Sequence, residues 1–202
     1  MLVRFFLLIL AIGGSCHKCS YQVPTVDEVV LGVPLELDDI GSRSRRDTFQ
    51  PLRIRLFFDE SIANLTVEKQ LFINSSLVPE AVGYWSQALM VRRSSAPIRL
   101  SRKCLTSHYY IRQGEKQQAC ATGCKDVTTC GETPVPDSHL YQCRYCESSN
   151  PLTCSVSGPA DGPGVGDTDF LLYVSAVASD RCQNPDTVAY AAHCQQEADF
   201  DR

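Results

Sequence analysis

The sequence predicts an α+β fold: a twisted sheet with one helix packed on it and a disulfide-rich insertion. Three observations carry that expectation. Leu52, Ile54, Leu56 and Phe58 alternate with Arg53, Arg55 and Phe57, the period of a strand with one apolar face. Val78, Ala81, Val82, Trp85, Ala88 and Leu89 recur at the spacing of a single helical stripe. Eleven cysteines stand in 202 residues, a density that a reduced compartment reserves for metals or catalysis and an oxidising one uses for disulfides. With 44% apolar residues the chain is long enough to bury one core.

The N-terminus selects between those compartments. Arg4 precedes the apolar run Phe5 to Ile12, and the small residues Gly13, Gly14 and Ser15 follow. This is the layout of a secretory signal peptide over residues 1–15, and it places the chain in the secretory pathway, extracellular or at the cell surface. A membrane anchor needs roughly 20 apolar residues, more than this run or any other stretch supplies. The net charge of −4 is too small to imply nucleic acid or an acidic membrane as a partner, and no nucleic-acid partner is expected.

Residues 16–46 read as a pro-segment without sustained periodicity. It opens on Cys16-His17-Lys18-Cys19 and closes on Arg43-Ser44-Arg45-Arg46. Three guanidinium groups at that spacing fit the acidic cleft of a furin-like processing protease, and Gly41 and Ser42 keep the site extended and reachable. A solvated basic turn is the plainer alternative. The first strand, Pro51 to Asp59, comes next. The sequons Asn64-Leu65-Thr66 and Asn74-Ser75-Ser76 make Asn64 and Asn74 glycosylation candidates on a wet surface. The helix is expected from about Val78 to Arg92, with Pro79 in its first turn and Arg92 and Arg93 at the negative end of its dipole. Trp85 reads as the anchor of that helix on the sheet. A short strand, Pro97 to Leu100, leads to Cys104.

An insertion spans about 104–163 and carries Cys104, Cys120, Cys124, Cys130, Cys143, Cys146 and Cys154. Cys120-x3-Cys124 and Cys143-x2-Cys146 have the spacing of a four-thiolate zinc site. The signal peptide and the crowding of further thiols favour disulfides instead, with Cys182 and Cys194 as additional candidates. Spacing does not fix connectivity. Gly158-Pro159-Ala160-Asp161-Gly162-Pro163-Gly164 closes the insertion with turn formers. Two more strands are expected, Thr168 to Ala176 and Thr187 to Gln195. The small residues Ala189, Ala191 and Ala192 on the second leave room for an element packed close.

Several pieces, in order, resemble the leishmanolysin-like zinc metalloendopeptidases of the invadolysin type. They are His17-x-Cys19, Leu52 to Phe58, Pro79-Glu80-Ala81-Val82 with Trp85 and Leu89, Arg102-Lys103-Cys104, Thr168 to Tyr173, and Ala189-Tyr190-Ala191-Ala192-x-Cys194-Gln195. The resemblance implies a metzincin-like N-terminal catalytic subdomain over residues 47–202, protein or peptide substrates, and zinc as the cofactor of the complete enzyme. It also implies an H-E-x-x-H helix whose histidines bind zinc and whose glutamate is the general base. That motif is absent: His17, His108, His139 and His193 are the four histidines, and none has a histidine at i+4. The expectation is therefore an incomplete peptidase domain, inactive alone, with no catalytic or metal-binding residue of its own. His193 reads as a strand residue. By resemblance Cys19 is the cysteine-switch ligand, a thiolate able to fill a zinc position until the pro-segment leaves. Without Cys16 and Cys19 the eleven cysteines leave an odd number, so one thiol needs a partner elsewhere. The rival expectation is a secreted, non-catalytic cysteine-rich binding or decoy module.

Overall fold

The computed structural model describes residues 30–33, 49–93, 96–112, 115–146, 154–185 and 187–197. The readings placed on the signal peptide, on Cys16, His17 and Cys19, and on Arg43, Arg45 and Arg46 lie outside the described residues. No helix among the described residues is long and apolar enough to cross a membrane.

Strand β1 (Val30–Val33) stands ahead of the body. The body opens with β2 (Gln50–Pro51) and β3 (Ile54–Phe58), where the alternating stretch lies. A 3-10 turn, Glu60–Asn64, follows, its first turn capped by the Asp59 carboxylate accepting from the Ser61 amide. One helical run then extends from α1 (Val67–Phe72) through a π-helical segment, Ile73–Leu77, into α2 (Val78–Ala88). The expected helix starts eleven residues later and ends further on than this run does. Pro79 therefore sits inside the run, where its missing N–H leaves a gap in the ladder that the wide turn just before it absorbs. The early end has a cause too. Leu89 turns extended, its carbonyl accepts from the Leu52 amide, and β4 (Met90–Val91) pairs antiparallel with β2.

The insertion builds a four-stranded sheet in the order β10-β9-β6-β5, from β5 (Ser107–Arg112), β6 (Glu115–Cys120), β9 (Cys143–Cys146) and β10 (Cys154–Ser157). A small hairpin, β7 (Thr129–Cys130) with β8 (Thr133–Pro134), lies between β6 and β9. Most of the buried residues among those described lie here: Leu140, Thr128 and Thr133, with Val135, Cys120, Cys143 and Cys146. The Gly158 to Gly164 turn returns the chain beside Ile98, with which Val165 exchanges two backbone hydrogen bonds. Gly164 adopts φ +72°, and a Cβ there would press on the Arg99 side chain and the Ile98 carbonyl.

β11 (Phe170–Val174) pairs in parallel with β3, Phe170 opposite Ile54 and Val174 opposite Phe58. The long crossover between these two parallel strands contains the helix and the whole insertion. Of the second expected strand, Thr187 to Gln195, only Gln195 lies in a strand, as the first residue of β12 (Gln195–Glu197). Residues 187–194 adopt no strand, Val188 is 99% exposed, and Ala189, Ala191, Ala192 and His193 are exposed. The cause is pairing: β-propensity makes a strand only where a neighbouring edge accepts it, and none does so here among the described residues.

Candidate functional site

The apolar stripe of α2 faces the sheet, yet it does not close on it. Leu77, Val78, Ala81, Val82, Trp85 and Leu89 from the helical run stand across from Leu52, Ile54, Phe170 and Leu172, around a cavity of about 370 Å³. Trp85 is 50% exposed, and Leu77, Leu89 and Phe170 are similarly open. Trp85 is thus a wall of a groove and not the buried anchor expected of it. Phe72, Tyr84 and Met90 extend the exposed apolar surface beyond the groove. Monomeric proteins rarely leave so much contiguous apolar surface to water unless it meets something.

Polar contacts hold β3, β11 and the insertion in register. The Arg53 guanidinium donates to both carboxylate oxygens of Asp169 at 2.8 and 3.0 Å, and the Arg53 amide donates to Asp169 Oδ2 at 2.9 Å. Burial pushes the Asp169 carboxyl up, but these hydrogen bonds and the charges of Arg53 and Arg93 outweigh it and leave the group below the usual carboxylate range. Asp167, in the left-handed region at φ 51°, adds a 3.5 Å contact to the same guanidinium. Arg102 is buried. It donates to the Tyr141 carbonyl and to Asp137 Oδ1, tying the start of the insertion to the 3-10 turn Asp137–His139. From that turn His139 Nδ1 shares a 2.9 Å hydrogen bond with the Tyr173 hydroxyl on β11, and Phe57 of β3 meets both rings edge-on. Burial raises the Tyr173 phenol above its ordinary range and lowers the His139 imidazole, so the pair is neutral at physiological pH.

The candidate cysteines divide cleanly. Cys104 bridges Cys120, Cys124 bridges Cys143, Cys130 bridges Cys194, and Cys146 bridges Cys154. All four thiols that have the spacing of a zinc site are thereby consumed, in line with the favoured disulfide reading. Cys182 has no disulfide partner among the described residues, and its thiol is exposed on the 3-10 turn Asp180–Gln183. An odd set must leave one out, and the exposed turn holds Cys182 away from the cluster. Asn64 ends one helical turn, Asn74 lies in the π-helical segment, and both are exposed.

The leishmanolysin-like peptidase of Caenorhabditis elegans is 50% identical over 196 residues, which cover 91% of this chain and 29% of that protein. The leishmanolysin-like peptidase of Drosophila melanogaster is 42% identical over 205 residues, 96% of this chain and 30% of that protein. By sequence the chain belongs to the leishmanolysin-like peptidases. The ciliated left-right organizer metallopeptidase of Danio rerio is a more distant relative, 31% identical over 160 residues, 76% of this chain and 25% of that protein. This leishmanolysin-like chain thus spans under a third of the length of the relatives it matches. No protein-family profile matches it, and no solved structure does.

A metallopeptidase implies a metal, so the residues present have to be tested against one. Among the described residues no three His, Cys, Asp or Glu side chains converge on a point. His139 is engaged with Tyr173, and eight cysteines are oxidised. The described residues of this leishmanolysin-like chain do not fit a zinc site, and no catalytic step is assigned to them. Arg53 with Asp169, Arg102, and His139 with Tyr173 escaped notice as site residues in the sequence. Their signal was an ionisable residue inside each apolar or motif-like stretch, which composition alone does not pair.

Proposed function

We propose that this chain is the scaffold portion of a secreted, leishmanolysin-like zinc metalloendopeptidase that hydrolyses peptide bonds in proteins, and that it has no protease activity by itself. One observation carries the reading: the groove between α2 and the β3–β11 pair is open and apolar along its length. A helix–sheet layer of this kind becomes stable when a further element covers it. In the relatives more than two thirds of the chain lies outside the matched portion, and that sequence is the source of the cover and of the zinc ligands. No H-E-x-x-H stands in these 202 residues. The Arg53–Asp169 and His139–Tyr173 contacts keep the sheet wall of the groove fixed for that partner.

In this reading residues 1–15 direct secretion and residues 16–46 are a pro-segment removed at Arg43, Arg45 and Arg46 by a furin-like protease. Cys19 is the thiol that holds the metal site closed until then. Asn64 and Asn74, both exposed, carry glycans. The purified chain, supplied with zinc, is expected to leave casein uncut. Chelator-sensitive turnover by the chain alone would overturn this assignment and return the catalytic residues to these 202 positions.

A further inference from the structure

Four sulfur atoms meet at the entrance to the insertion. Cys104 is bridged to Cys120 and Cys124 to Cys143, and the Cys120 and Cys124 Sγ atoms lie 3.7 Å apart. Both atoms are oxidised, so no proton stands between them, and the approach is a contact of one disulfide with the next. The sulfurs thus form a row, Cys104, Cys120, Cys124 and Cys143, bonded at each end and touching in the middle.

The backbone holds this row without help from the sulfurs. Cys104 and Cys124 are antiparallel bridge partners. Around them the Leu105 amide donates to the Gly123 carbonyl at 3.0 Å, Lys125 to the Lys103 carbonyl at 2.8 Å and Ala121 to the Thr106 carbonyl at 2.8 Å. The Thr106 and Thr122 hydroxyls meet at 2.8 Å, and Cys120 pairs with Ser107 on the adjoining ladder. On so fixed a frame the two middle sulfurs can bond by side-chain rotation, with the strands still paired. Access differs along the row. Cys120 and Cys143 are 5% exposed, whereas Cys104 and Cys124 are half-buried. An external thiolate therefore reaches one sulfur of each bridge, and access governs where exchange begins.

We propose that these two bridges are a single thiol–disulfide exchange site whose co-reactant is a dithiol. Attack of the dithiol on Cys124 Sγ breaks the Cys124–Cys143 bond and releases Cys143 as a thiolate. The second thiol of the reductant resolves the mixed disulfide, leaves as the cyclic disulfide, and frees Cys124. The Cys124 thiolate attacks Cys120 Sγ; the Cys120–Cys124 bond forms and Cys104 departs with the electron pair. Entry at Cys104 instead frees Cys120, which attacks Cys124 and expels Cys143. Either route oxidises one dithiol, and its two protons end on Cys104 and Cys143. The product is the same from both sides: a Cys120–Cys124 bridge flanked by two thiols. Exchange thus withdraws the covalent ties of β6 to the insertion's entry and of its end to β9, leaving hydrogen bonds to hold them.

Graded reduction of the folded full chain with dithiothreitol, then quenching, alkylation and tryptic mapping, tests this. Trypsin releases residues 117–125 as one peptide that holds both Cys120 and Cys124. In the untreated chain that peptide is tied to those of Cys104 and Cys143. At intermediate reductant it is expected to emerge alone and unalkylated, its mass showing an internal bridge, with Cys104 and Cys143 alkylated. Cys130–Cys194 and Cys146–Cys154 are expected to keep their partners in that species. If peptide 117–125 passes from doubly tied to singly tied to fully alkylated, and the internal bridge is absent at every level of reductant, the two bridges open independently and the proposal is overturned. Bonds from Cys120 or Cys124 to Cys130, Cys146, Cys154 or Cys194 also overturn it, because they mark scrambling of an opened chain.

Discussion

Asp169 shows how much one carboxylate organises. It accepts three hydrogen bonds from Arg53, two from the guanidinium and one from the backbone amide, and so locks β11 to the entry of β3. Its folded pKa lies below the ordinary 3.8, so the unfolded chain takes up the proton first as pH falls. The stabilisation is complete above about pH 4 and is lost as pH drops through the folded value. Asp169→Asn is expected to cost about 2 kcal/mol in urea unfolding at pH 7, and to cost less at pH 3. Equal stability of the two proteins at pH 7 would contradict the role given to this pair. The stability linked to His139 is lost in the same direction, on acidification, but in a higher pH window. Burial lowers its pKa from 6.5, so the folded state resists the proton that the unfolded state accepts. Nothing is lost above that value, and stability declines as pH falls from about 6.5 toward the depressed folded value. Thermal unfolding of wild type between pH 7 and 5 is expected to show that decline, and His139→Gln to flatten it. Identical pH profiles would remove His139 from the account.

The elements show which signals a sequence carries openly. The alternation of Leu52, Ile54, Leu56 and Phe58 is a local pattern, and it gives a strand where expected because β11 offers an edge in register. The helix was legible only in part. Val67, Leu71 and Phe72 of α1 are largely exposed, so they form no stripe against a core and give no period from which a start could be read. Thr187 to Cys194 failed for the opposite reason, having the composition of a strand but no edge among the described residues to pair with. Trp85 carried a correct helix position and an incorrect degree of burial, because burial depends on what else covers the groove. That half-exposure sets a measurable scale. Trp85→Ala is expected to destabilise the chain by less than about 3 kcal/mol, the lower end for a fully buried tryptophan, and to weaken binding of an apolar fluorescent dye. A larger loss, with dye binding unchanged, would mean that the groove is closed in solution.

Among the described residues most of the buried side chains lie in the cysteine-bearing insertion, and the helix–sheet layer is open. The insertion was recognisable as disulfide-rich because the thiols were dense and the leader was apolar. Its connectivity was not legible, since Cys120 joins Cys104 across a loop and not a nearer thiol such as Cys124. The groove was equally hidden, because an open face is a property of three-dimensional neighbours and not of any one segment. A packed insertion beside an open apolar groove accords with the proposed scaffold reading, in a chain that spans under a third of its relatives' length. The most direct measurement is a chimera in which this chain replaces the matched portion of the Caenorhabditis elegans leishmanolysin-like peptidase. The account predicts chelator-sensitive casein cleavage within about tenfold of the parent, a difference of roughly 1.4 kcal/mol in the barrier, together with closure of the groove to the apolar dye. A chimera that folds and is secreted, yet stays inactive and still binds the dye, would contradict it.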